Sequence, residues 1–312
     1  MKMTISNGTL LKQMEVIQKA GNNVTLRDDN SREFYMDAIA SAGTLPKLFV
    51  HFAKSAKGTI DTLGVKRRNL KEHKGISTTP DGRDFKEEQS VPYALGAVYW
   101  DAWIENSNTF YTARMRGQDV RQALLSLQQQ QYAADIQDLA FNGDESSADE
   151  FLKLNDGFIV QAEKKAAVKK VGTTLPTFQE LTLLTGQFES KYLNNTFKWF
   201  MSLATNTHYV AEIQNRQTNL GDATIVNGQL TNIAGYAVEI VDNMQNDVIL
   251  FTPFENLAQV PGVEVTLTTA AQDSLATAKQ ATYHFMLSDI DFVIRQPKAL
   301  GYIEKTATLP EG

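Results

Sequence analysis

The sequence predicts an α+β fold for a chain of 312 residues. Three observations lead to this prediction: a long polar hairpin at about residues 55–92, one strong helix at about residues 117–141, and a mixed series of helices and strands that ends in a long apolar stretch at residues 283–294. At roughly 150 residues per domain, this length fits one large domain or two of ordinary size.

Composition excludes several classes of protein. The formal net charge is −6, which argues against a dedicated nucleic-acid binder because such proteins are usually basic. The sequence has no Cys, which excludes a disulfide scaffold, a thiolate zinc site, an iron–sulfur cluster and a cysteine nucleophile. It also shows neither the apolar region of a signal peptide nor an apolar run long enough for a transmembrane helix, so no membrane association is expected.

The N-terminal part predicts two helices joined by a polar segment. In residues 7–20, apolar side chains recur at helical spacing, which fits either a surface helix or a detachable arm on a neighbouring subunit. Residues 21–30 are polar and indicate a linker or an extended arm. Residues 31–42 predict a second helix, which Pro46 interrupts.

Residues 55–92 carry few large apolar side chains and divide into a mainly basic arm and a mainly acidic arm. The Thr-Pro-Asp-Gly sequence at 79–82 between the arms is a strong turn signal, so the segment predicts a long hairpin. The charged candidates for contacts with another subunit are Lys66, Arg67, Arg68, Lys71, Lys74, Asp81, Asp84, Glu87 and Glu88.

A two-stranded hairpin of this composition is marginally stable alone in water. We therefore expect it to lie on its own domain or on another subunit; the alternative is a solvated loop. A nucleic-acid surface is disfavoured, because the acidic arm would cancel the field of the basic arm.

The aromatic residues 94–112 predict a strand, and the helix at 117–141 follows with Asn142-Gly143 as its stop signal. The predicted apolar face of this helix consists of Val120, Leu124, Leu127, Ile136 and Leu139. The four Gln residues at 128–131 indicate a polar face or an interface.

The C-terminal half alternates helix and strand signals. Thr177 and Glu180 predict a helix start with a capping box, and Asn227-Gly228 predicts a hairpin turn. A further helix is expected at 205–217. Strands are expected at 197–204, 235–241, 247–251, 263–268, 283–294 and 300–303.

A search for chemistry finds no catalytic constellation. The four residues His51, His73, His208 and His284 lie in no metal-binding or catalytic spacing, and we expect packing or surface roles for them. The usual nucleophile-elbow and phosphate-loop motifs are absent. We therefore predict no catalytic residue and no cofactor site, and a chain that is not an enzyme.

Carboxylates form two groups. The cluster of Asp144, Glu145, Asp149 and Glu150 could hold a hard cation or line a solvated loop, and its spacing matches no calcium loop, so no metal site is predicted. Asp289 and Asp291 alternate on a predicted strand and so share a face, where they would form salt bridges to a neighbour or meet solvent.

Five short stretches carry a resemblance to a known family. They are Ala140–Asp144 (AFNGD), Asn155–Ile159 (NDGFI), Trp199–Asn206, Asn232–Val238 and Asp291–Leu300. Their order and spacing over residues 55–305 resemble those of the major capsid proteins of tailed bacteriophages, which have the Hong Kong 97-like fold. The resemblance places a strand directly after Gly157 and a strand, a turn and a helix at 199–206.

The resemblance implies an arrangement of domains: an N-terminal arm at 1–54, an extended loop formed by the β-hairpin at 55–92, a peripheral domain with a spine helix at 117–142, and an axial α/β domain. The peripheral domain would comprise residues 93–171 and 271–312, and the axial domain residues 172–270. The extended loop would lie over an adjacent subunit, which fits a hairpin that cannot bury itself.

The resemblance also implies the function. Copies of the chain would form hexamers and pentamers of an icosahedral shell around the double-stranded DNA of a tailed phage, without sequence-specific DNA binding. Scaffolding and portal proteins would be partners, a decoration protein could be added, and no cofactor is implied. The protein would assemble in the host cytoplasm and reside in the virion capsid.

The chain departs from some relatives in two respects. About 50 residues precede the hairpin, so we expect scaffolding to be a separate protein or one already removed. No Asn occurs from Lys279 to Arg295, so a covalent Lys–Asn crosslink is not carried over and a non-covalent shell is expected. The alternatives are an encapsulin-type nanocompartment shell, which has the same fold, and an unrelated cytosolic α+β enzyme.

Overall fold

A computed structural model describes residues 24–25, 28–65, 70–78, 82, 84, 86–105, 120–215, 225–226, 228–270 and 274–306. The helix predicted at residues 7–20 lies outside these ranges, and so does the part of the aromatic segment after residue 105.

Six α-helices lie in the described residues: α1 (Asp28–Ile39), α2 (Val120–Asn142), α3 (Phe158–Lys165), α4 (Phe178–Thr185), α5 (Leu203–Gln214) and α6 (Ser274–Lys279). The helix predicted at 117–141 is confirmed as α2, whose 23 residues span about 35 Å. The capping box predicted for α4 is confirmed. Helix α5 begins two residues before the predicted start, because its N-cap is Ser202, whose Oγ accepts a hydrogen bond from the Thr205 amide.

The described strands are β1 (Val24–Thr25), β2 (Phe49–Val50), β3 (Lys57–Val65), β4 (Lys86–Ala94), β5 (Gly96–Glu105), β6 (Val168–Gly172), β7 (Phe197–Met201), β8 (Ile225–Val226), β9 (Gln229–Leu230), β10 (Asn232–Ile233), β11 (Tyr236–Ile240), β12 (Val248–Pro253), β13 (Leu257–Ala270), β14 (Ala281–Ile294) and β15 (Gly301–Lys305). The C-terminal strands predicted from residue 197 onward are all present. Strand β13 begins well before its predicted start, because its pairing with β14 continues on both sides of an irregularity between Pro261 and Val265.

These strands form two main sheets. The long sheet has the order β1-β13-β14-β5, with β2 pairing alongside β13, and a six-stranded sheet has the order β10-β11-β7-β12-β15-β6. Strands β6 and β15 complete the six-stranded sheet although they lie outside residues 172–270. The division of the chain into peripheral and axial domains stays a prediction.

Helix α2 crosses one face of the long sheet, which we call the inner face. Tyr132, Ile136 and Leu139 of α2 are buried in one apolar cluster with Val98 of β5 and Met286 of β14. The Tyr132 hydroxyl and the Ser288 Oγ lie 3.0 Å apart and share a hydrogen bond. Helix α2 is therefore held on the long sheet by apolar packing and by this hydrogen bond.

The predicted apolar face of α2 is wrong at Leu127, which is 58% exposed. Ile136 and Leu139 of the predicted face are buried, together with Gln129 and Tyr132, and the side chains of Val120 and Leu124 lie outside the described ones. At about 100° per residue, Leu127 lies some 200° round the helix from Gln129 and so faces away from the sheet.

The strand predicted directly after Gly157 is also wrong, because residues 158–165 form helix α3. The Gln161 side chain explains why a helix fits here. Its Nε2 donates to the Phe292 carbonyl oxygen at 2.6 Å, and its Oε1 accepts from the Ile294 amide at 3.4 Å. Strand β5 begins at Gly96, opposite Ile290, so the β14 residues beyond Ile290 have no partner on β5. The side-chain amide of Gln161 bonds to the β14 backbone there.

Two glycines join the end of α2 to the start of α3. The Gly157 amide donates to the Gly143 carbonyl oxygen at 2.8 Å. A Cβ at Gly143 would lie 2.3 Å from the Asn155 carbonyl oxygen, and one at Gly157 would lie 2.8 Å from the Gly143 nitrogen. Two of the five stretches that carry the family resemblance, AFNGD and NDGFI, thus meet at a contact between backbones that leaves no space for a side chain.

We predict that Gly143→Ala lowers the free energy of unfolding by about 1–3 kcal/mol, because a methyl group there meets backbone atoms that cannot move away. Urea unfolding of unassembled subunits, followed by circular dichroism, measures this change. The matched control is Gly172→Ala, where the nearest atom to a Cβ is 3.6 Å away and little change is expected. Equal stability of the two variants would contradict the backbone contact.

Candidate intersubunit interface

Strands β3 and β4 form the predicted hairpin. They pair antiparallel from Lys57 opposite Ala94 to Val65 opposite Lys86, nine residues on each strand. At about 3.4 Å per residue, this ladder is about 30 Å long. We refer to residues 55–92 as the extended loop, to the Lys57–Ala94 end of the ladder as the loop root, and to residues 70–78 as the loop tip.

The loop root packs on the long sheet. Ile60, Val91 and Tyr93 are buried in a small apolar cluster with Val260 of β13 and Val293 of β14. Exposure alternates along the end of β4, since every second side chain points at the sheet. The alternation of side chains along the strand therefore places the apolar residues of the root against the sheet of their own subunit.

A glycine makes room for the largest side chain at the root. Gly58 lies directly opposite Tyr93 in the ladder, and a Cβ at Gly58 would lie 2.4 Å from the Tyr93 hydroxyl oxygen. The Tyr93 ring therefore crosses the space above Gly58, as aromatic residues do over glycines in paired strands.

Asp291 also holds the loop root, a role that the sequence does not indicate. Its Oδ2 accepts a hydrogen bond from the Ala94 amide at 2.8 Å, and its Oδ1 accepts one from Asn155 Nδ2 at 3.2 Å. Burial raises the pKa of Asp291 above its ordinary value. Asp291 is thus used within the chain, and a salt bridge from it to a neighbour has no support in these contacts.

A charged contact joins the extended loop to the segment before β7. The carboxylate of Glu87 accepts a hydrogen bond from Lys191 Nζ and another from the Tyr192 hydroxyl at 3.2 Å. The Lys191 hydrogen bond is the main reason that the pKa of Glu87 lies below its ordinary value. Lys298 Nζ lies 5.7 Å from the centre of the Tyr192 ring and adds positive charge beside this contact.

The large apolar side chains of the loop tip are not buried within the subunit. Leu70 is 99% exposed, and Ile76 is fully exposed. Every residue from 70 to 78 is classed as exposed. Single exposed apolar residues are ordinary, but two fully exposed ones in a polar segment of nine residues mark a surface that needs a partner.

The nine charged residues predicted as intersubunit contacts fall into three groups. Lys66, Arg67, Arg68 and Asp81 lie outside the described residues. The exposed members are Lys71, Lys74, Asp84 and Glu88. Glu87 is half-buried by its contact within the chain. A role of any of the nine in subunit contacts stays a prediction.

Sequence reasoning missed Leu70 and Ile76, which were passed over because the segment was classed as polar. The signal that could have found them is isolation: each is a large apolar residue among charged, polar and glycine neighbours, at no helical or strand spacing. Such a residue has no core face of its own to join.

The acidic cluster after α2 organises a loop. Asp144 accepts from the Ser146 amide at 2.9 Å, Asp149 from the Phe151 amide at 2.8 Å, and Asp156 from the Glu145 amide at 3.0 Å. The first two bonds are local and typical of turns, whereas the third ties the start of the loop to its end, 11 residues later. Within the described ranges, no group of three His, Asp or Glu side chains is placed to hold a metal ion.

The four histidines lie apart from one another in the fold. His284 is buried on the inner face of β14, and burial lowers its pKa. His51 packs with its ring centre 5.7 Å from that of Tyr93, while His73 and His208 are exposed. Among the helices described, none has the length and apolarity needed to cross a membrane.

Comparison with known proteins gives one curated relative. No protein-family model matches the chain. A Bacillus subtilis (strain 168) protein named as a prophage capsid protein, YqbE, is 26% identical over 189 residues. The match covers 60% of this chain and 59% of that protein, so the chain spans less than two thirds of the relative's length.

Solved structures of capsids match nearly the whole chain. A chain of the satellite phage P4 procapsid, a structure that includes the size determination (Sid) protein, matches with a TM-score of 0.69 and 15% identity over 97% of this chain and 98% of that one. A capsid chain of an empty GTA particle gives 0.57 and 11% over 86% and 90%. The phage G structure, with gp27 major capsid and gp26 decoration proteins, gives 0.53 and 10% over 98% and 99%.

These likenesses define the class of protein by its fold. The chain has the Hong Kong 97-like fold of phage capsid proteins, and the predicted fold class is confirmed.

We predict that Glu87→Gln loosens the end of the β3–β4 ladder remote from the loop root, where Glu87 lies opposite Gly64, because the neutral amide loses the charge-assisted hydrogen bond from Lys191. Hydrogen–deuterium exchange should report faster exchange of the β3–β4 amides at pH 7. The matched control is Glu88→Gln, the exposed neighbour on the same strand, which should behave as wild type.

The pH dependence of this effect has a defined sign. Since the pKa of Glu87 is lowered in the folded chain, the ion pair contributes above the ordinary carboxyl value of 4.5 and is lost as the pH falls through the lowered value. The difference between wild type and Glu87→Gln should therefore persist at pH 4.5 and above and shrink as the pH falls below 4.5. A variant that exchanges like wild type at pH 7 would show that the contact does not hold this end of the ladder.

Proposed function

We propose that this chain is the major capsid protein of a tailed phage. Copies of it self-assemble into the icosahedral shell that encloses the double-stranded DNA genome. The observation that carries this proposal is the exposed loop tip, with Leu70 and Ile76 uncovered, on a chain with a phage capsid fold.

Repetition explains how modest contacts give a stable shell. A loop that leaves one subunit and lies on another makes a heterologous contact, and such contacts build rings when the rotation closes. Once a ring forms, each further contact is intramolecular and gains from a high effective concentration. Hexamers and pentamers of the chain are the rings proposed here.

The parts of the chain take the roles that this function requires. Residues 1–54 form the N-terminal arm, and residues 55–92 the extended loop. The peripheral domain comprises residues 93–171 and 271–312, and the axial domain comprises residues 172–270. The fixed root and bare tip of the extended loop support the assignment of that loop as the connecting element.

Other proteins are expected to take part in assembly. The matching P4 procapsid structure includes a size determination protein, and the matching phage G structure includes decoration proteins. By analogy, we propose a separate scaffolding protein, a portal protein and an optional decoration protein for this shell. The chain itself needs no cofactor and performs no catalysis in this role.

The location follows from the function: the protein assembles in the host cytoplasm and resides in the virion capsid. The formal charge of −6 per chain, repeated over many copies, suits a container that encloses DNA without gripping it or reading its sequence. The curated relative, a prophage capsid protein, supports the phage shell over the encapsulin-type shell.

We predict that the expressed chain, supplied with its scaffolding protein where required, forms closed particles of megadalton mass. Negative-stain microscopy and analytical ultracentrifugation measure this directly. Particles that carry DNA during infection support the phage shell, and particles that instead hold a co-purified enzyme would overturn it in favour of a nanocompartment. A small oligomer of fixed size under every condition would overturn both.

We predict that Arg67→Glu with Arg68→Glu reduces particle yield while leaving the subunit folded, because it reverses the charge of the basic arm. The matched control is Lys54→Glu with Lys153→Glu, which changes the net charge equally at two exposed sites outside the extended loop. Particle yield is read by sedimentation and folding by circular dichroism. Equal yields of the two variants would sink the proposed role of the basic arm.

A further inference from the structure

The C-terminal half of α2 is held in place by paired polar side chains. Tyr132 shares its hydrogen bond with Ser288 of β14. Gln137 Oε1 accepts a hydrogen bond from the Thr44 amide at 3.3 Å, and its Nε2 donates one to the Asp242 carbonyl oxygen at 3.2 Å. The polar groups of this half that face the protein therefore have partners, as buried polar groups normally do.

The N-terminal half of α2 lacks such partners at two of its side chains. The Nε2 atoms of Gln128 and Gln129 are buried, and neither has a hydrogen-bond partner among the described residues. A buried amide without a partner costs free energy, and its presence in a folded chain calls for an explanation. The run of four Gln residues that stands out in the sequence thus includes the place where α2 is least well satisfied.

His284 lies buried on the inner face of β14 in the same region. A small cavity of about 20 Å³ lies between His284 and α2. Residues from four further positions line this cavity with His284 and Gln128: Phe34 of α1, Trp100 of β5, Leu267 of β13 and Met286 of β14. The cavity has about the volume that one water molecule needs, so packing is incomplete here and the side chains have room to move.

No charged side chain lines the cavity beside His284, within the part of the chain that the structure describes. The charged residues of the surrounding elements are exposed or half-buried and lie outside the lining: Arg32, Glu33 and Asp37 of α1, Asp135 of α2, Asp101 of β5, Glu264 of β13 and Asp289 of β14. The side chains of residues 121–126 of α2 are outside the described ones. Burial is therefore the main influence on the imidazole, and it lowers the pKa of His284.

Protonation of His284 places a positive charge where no anion balances it. The amide oxygens of Gln128 and Gln129 can accept a hydrogen bond from the imidazolium, but they bring no charge. A buried and unpaired charge is strongly unfavourable, so the imidazolium is favoured where the helix has moved away and water has entered. Because the pKa of His284 is lowered in the folded chain, this packing is most stable above the ordinary value of 6.5 and weakens as the pH falls below it.

We infer that Gln128, Gln129 and His284 form an acid-sensitive seat for the N-terminal half of α2. With a neutral imidazole, this half of the helix lies on the sheet. With an imidazolium, residues 120–131 separate from β14, while Tyr132 and Gln137 keep the rest of the helix in place. The unpartnered amides and the cavity make the separation easier, since few bonds are broken. This conformational device does not depend on the proposed function.

Hydrogen–deuterium exchange of the full chain tests the seat at about pH 7.5 and about pH 5.5, which bracket the ordinary histidine value of 6.5. After correction for the intrinsic pH dependence of exchange, the amides of residues 120–131 should exchange faster in acid, by up to about tenfold per pH unit. His284→Gln is neutral at both pH values and should remove this difference. The matched control, His208→Gln, changes an exposed histidine of α5 and should keep it.

The two unpartnered amides are tested by replacing them with apolar groups. Gln128→Leu with Gln129→Leu should slow the exchange of residues 120–131 at both pH values, because it removes two buried amides that have no partner. The matched control is Gln130→Leu with Gln131→Leu, the exposed neighbours on the same helix, which should leave that exchange unchanged.

Trp100 gives a second readout that needs no histidine variant, in case His284→Gln does not fold. Trp100 lines the same cavity as His284. Its emission is the part of the tryptophan fluorescence that Trp100→Phe removes. In the chain with its own His284, this emission should change as the pH falls below 6.5.

Each other outcome overturns the inference. Exchange of residues 120–131 and Trp100 emission that stay the same at both pH values would show that the seat does not respond to acid. An acid effect that His284→Gln keeps, or that His208→Gln removes, would assign the response to another group. None of these results bears on particle formation, so the capsid function stands or fails on its own experiment.

Discussion

The antiparallel pairing of β13 with β14 is the interaction on which the rest of the structure depends. Each strand has 14 residues, and both the helical layer and the loop root are built on this pair. Tyr132 of α2 bonds to Ser288 on its inner face, and Ile60 and Tyr93 of the extended loop pack beside Val260 and Val293 at one end. The same two strands therefore hold the helical layer and the extended loop in a fixed relation to each other.

Contacts within the subunit also explain how a long polar loop can be positioned. Apolar packing and the Asp291 bond to the Ala94 amide fix the root, and the contact of Glu87 with Lys191 holds the ladder near its other end. Contacts at the root set the direction of the ladder, and the tip is carried about 30 Å away from them. A loop held in this manner can present Leu70 and Ile76 to a partner without first burying them in its own core.

Much of the fold could be predicted from sequence because local signals determine it. The capping box of Thr177 and Glu180 fixes the start of α4. The start of α3 was missed because its reason lies about 130 residues away: the Gln161 amide bonds to the β14 backbone. The exposure of Leu127 was missed because helical spacing alone does not say which stripe faces the sheet. The importance of Leu70 was missed because it depends on a surface that local sequence does not reveal.

A reconstruction of the assembled shell by electron cryo-microscopy, at a resolution that shows side chains, tests the central claim most directly. The account predicts that the extended loop of each subunit contacts another subunit, which covers Leu70 and Ile76, while the loop root stays bound to its own β14. A shell in which Leu70 and Ile76 stay exposed, or in which the extended loop lies on its own subunit, would contradict it.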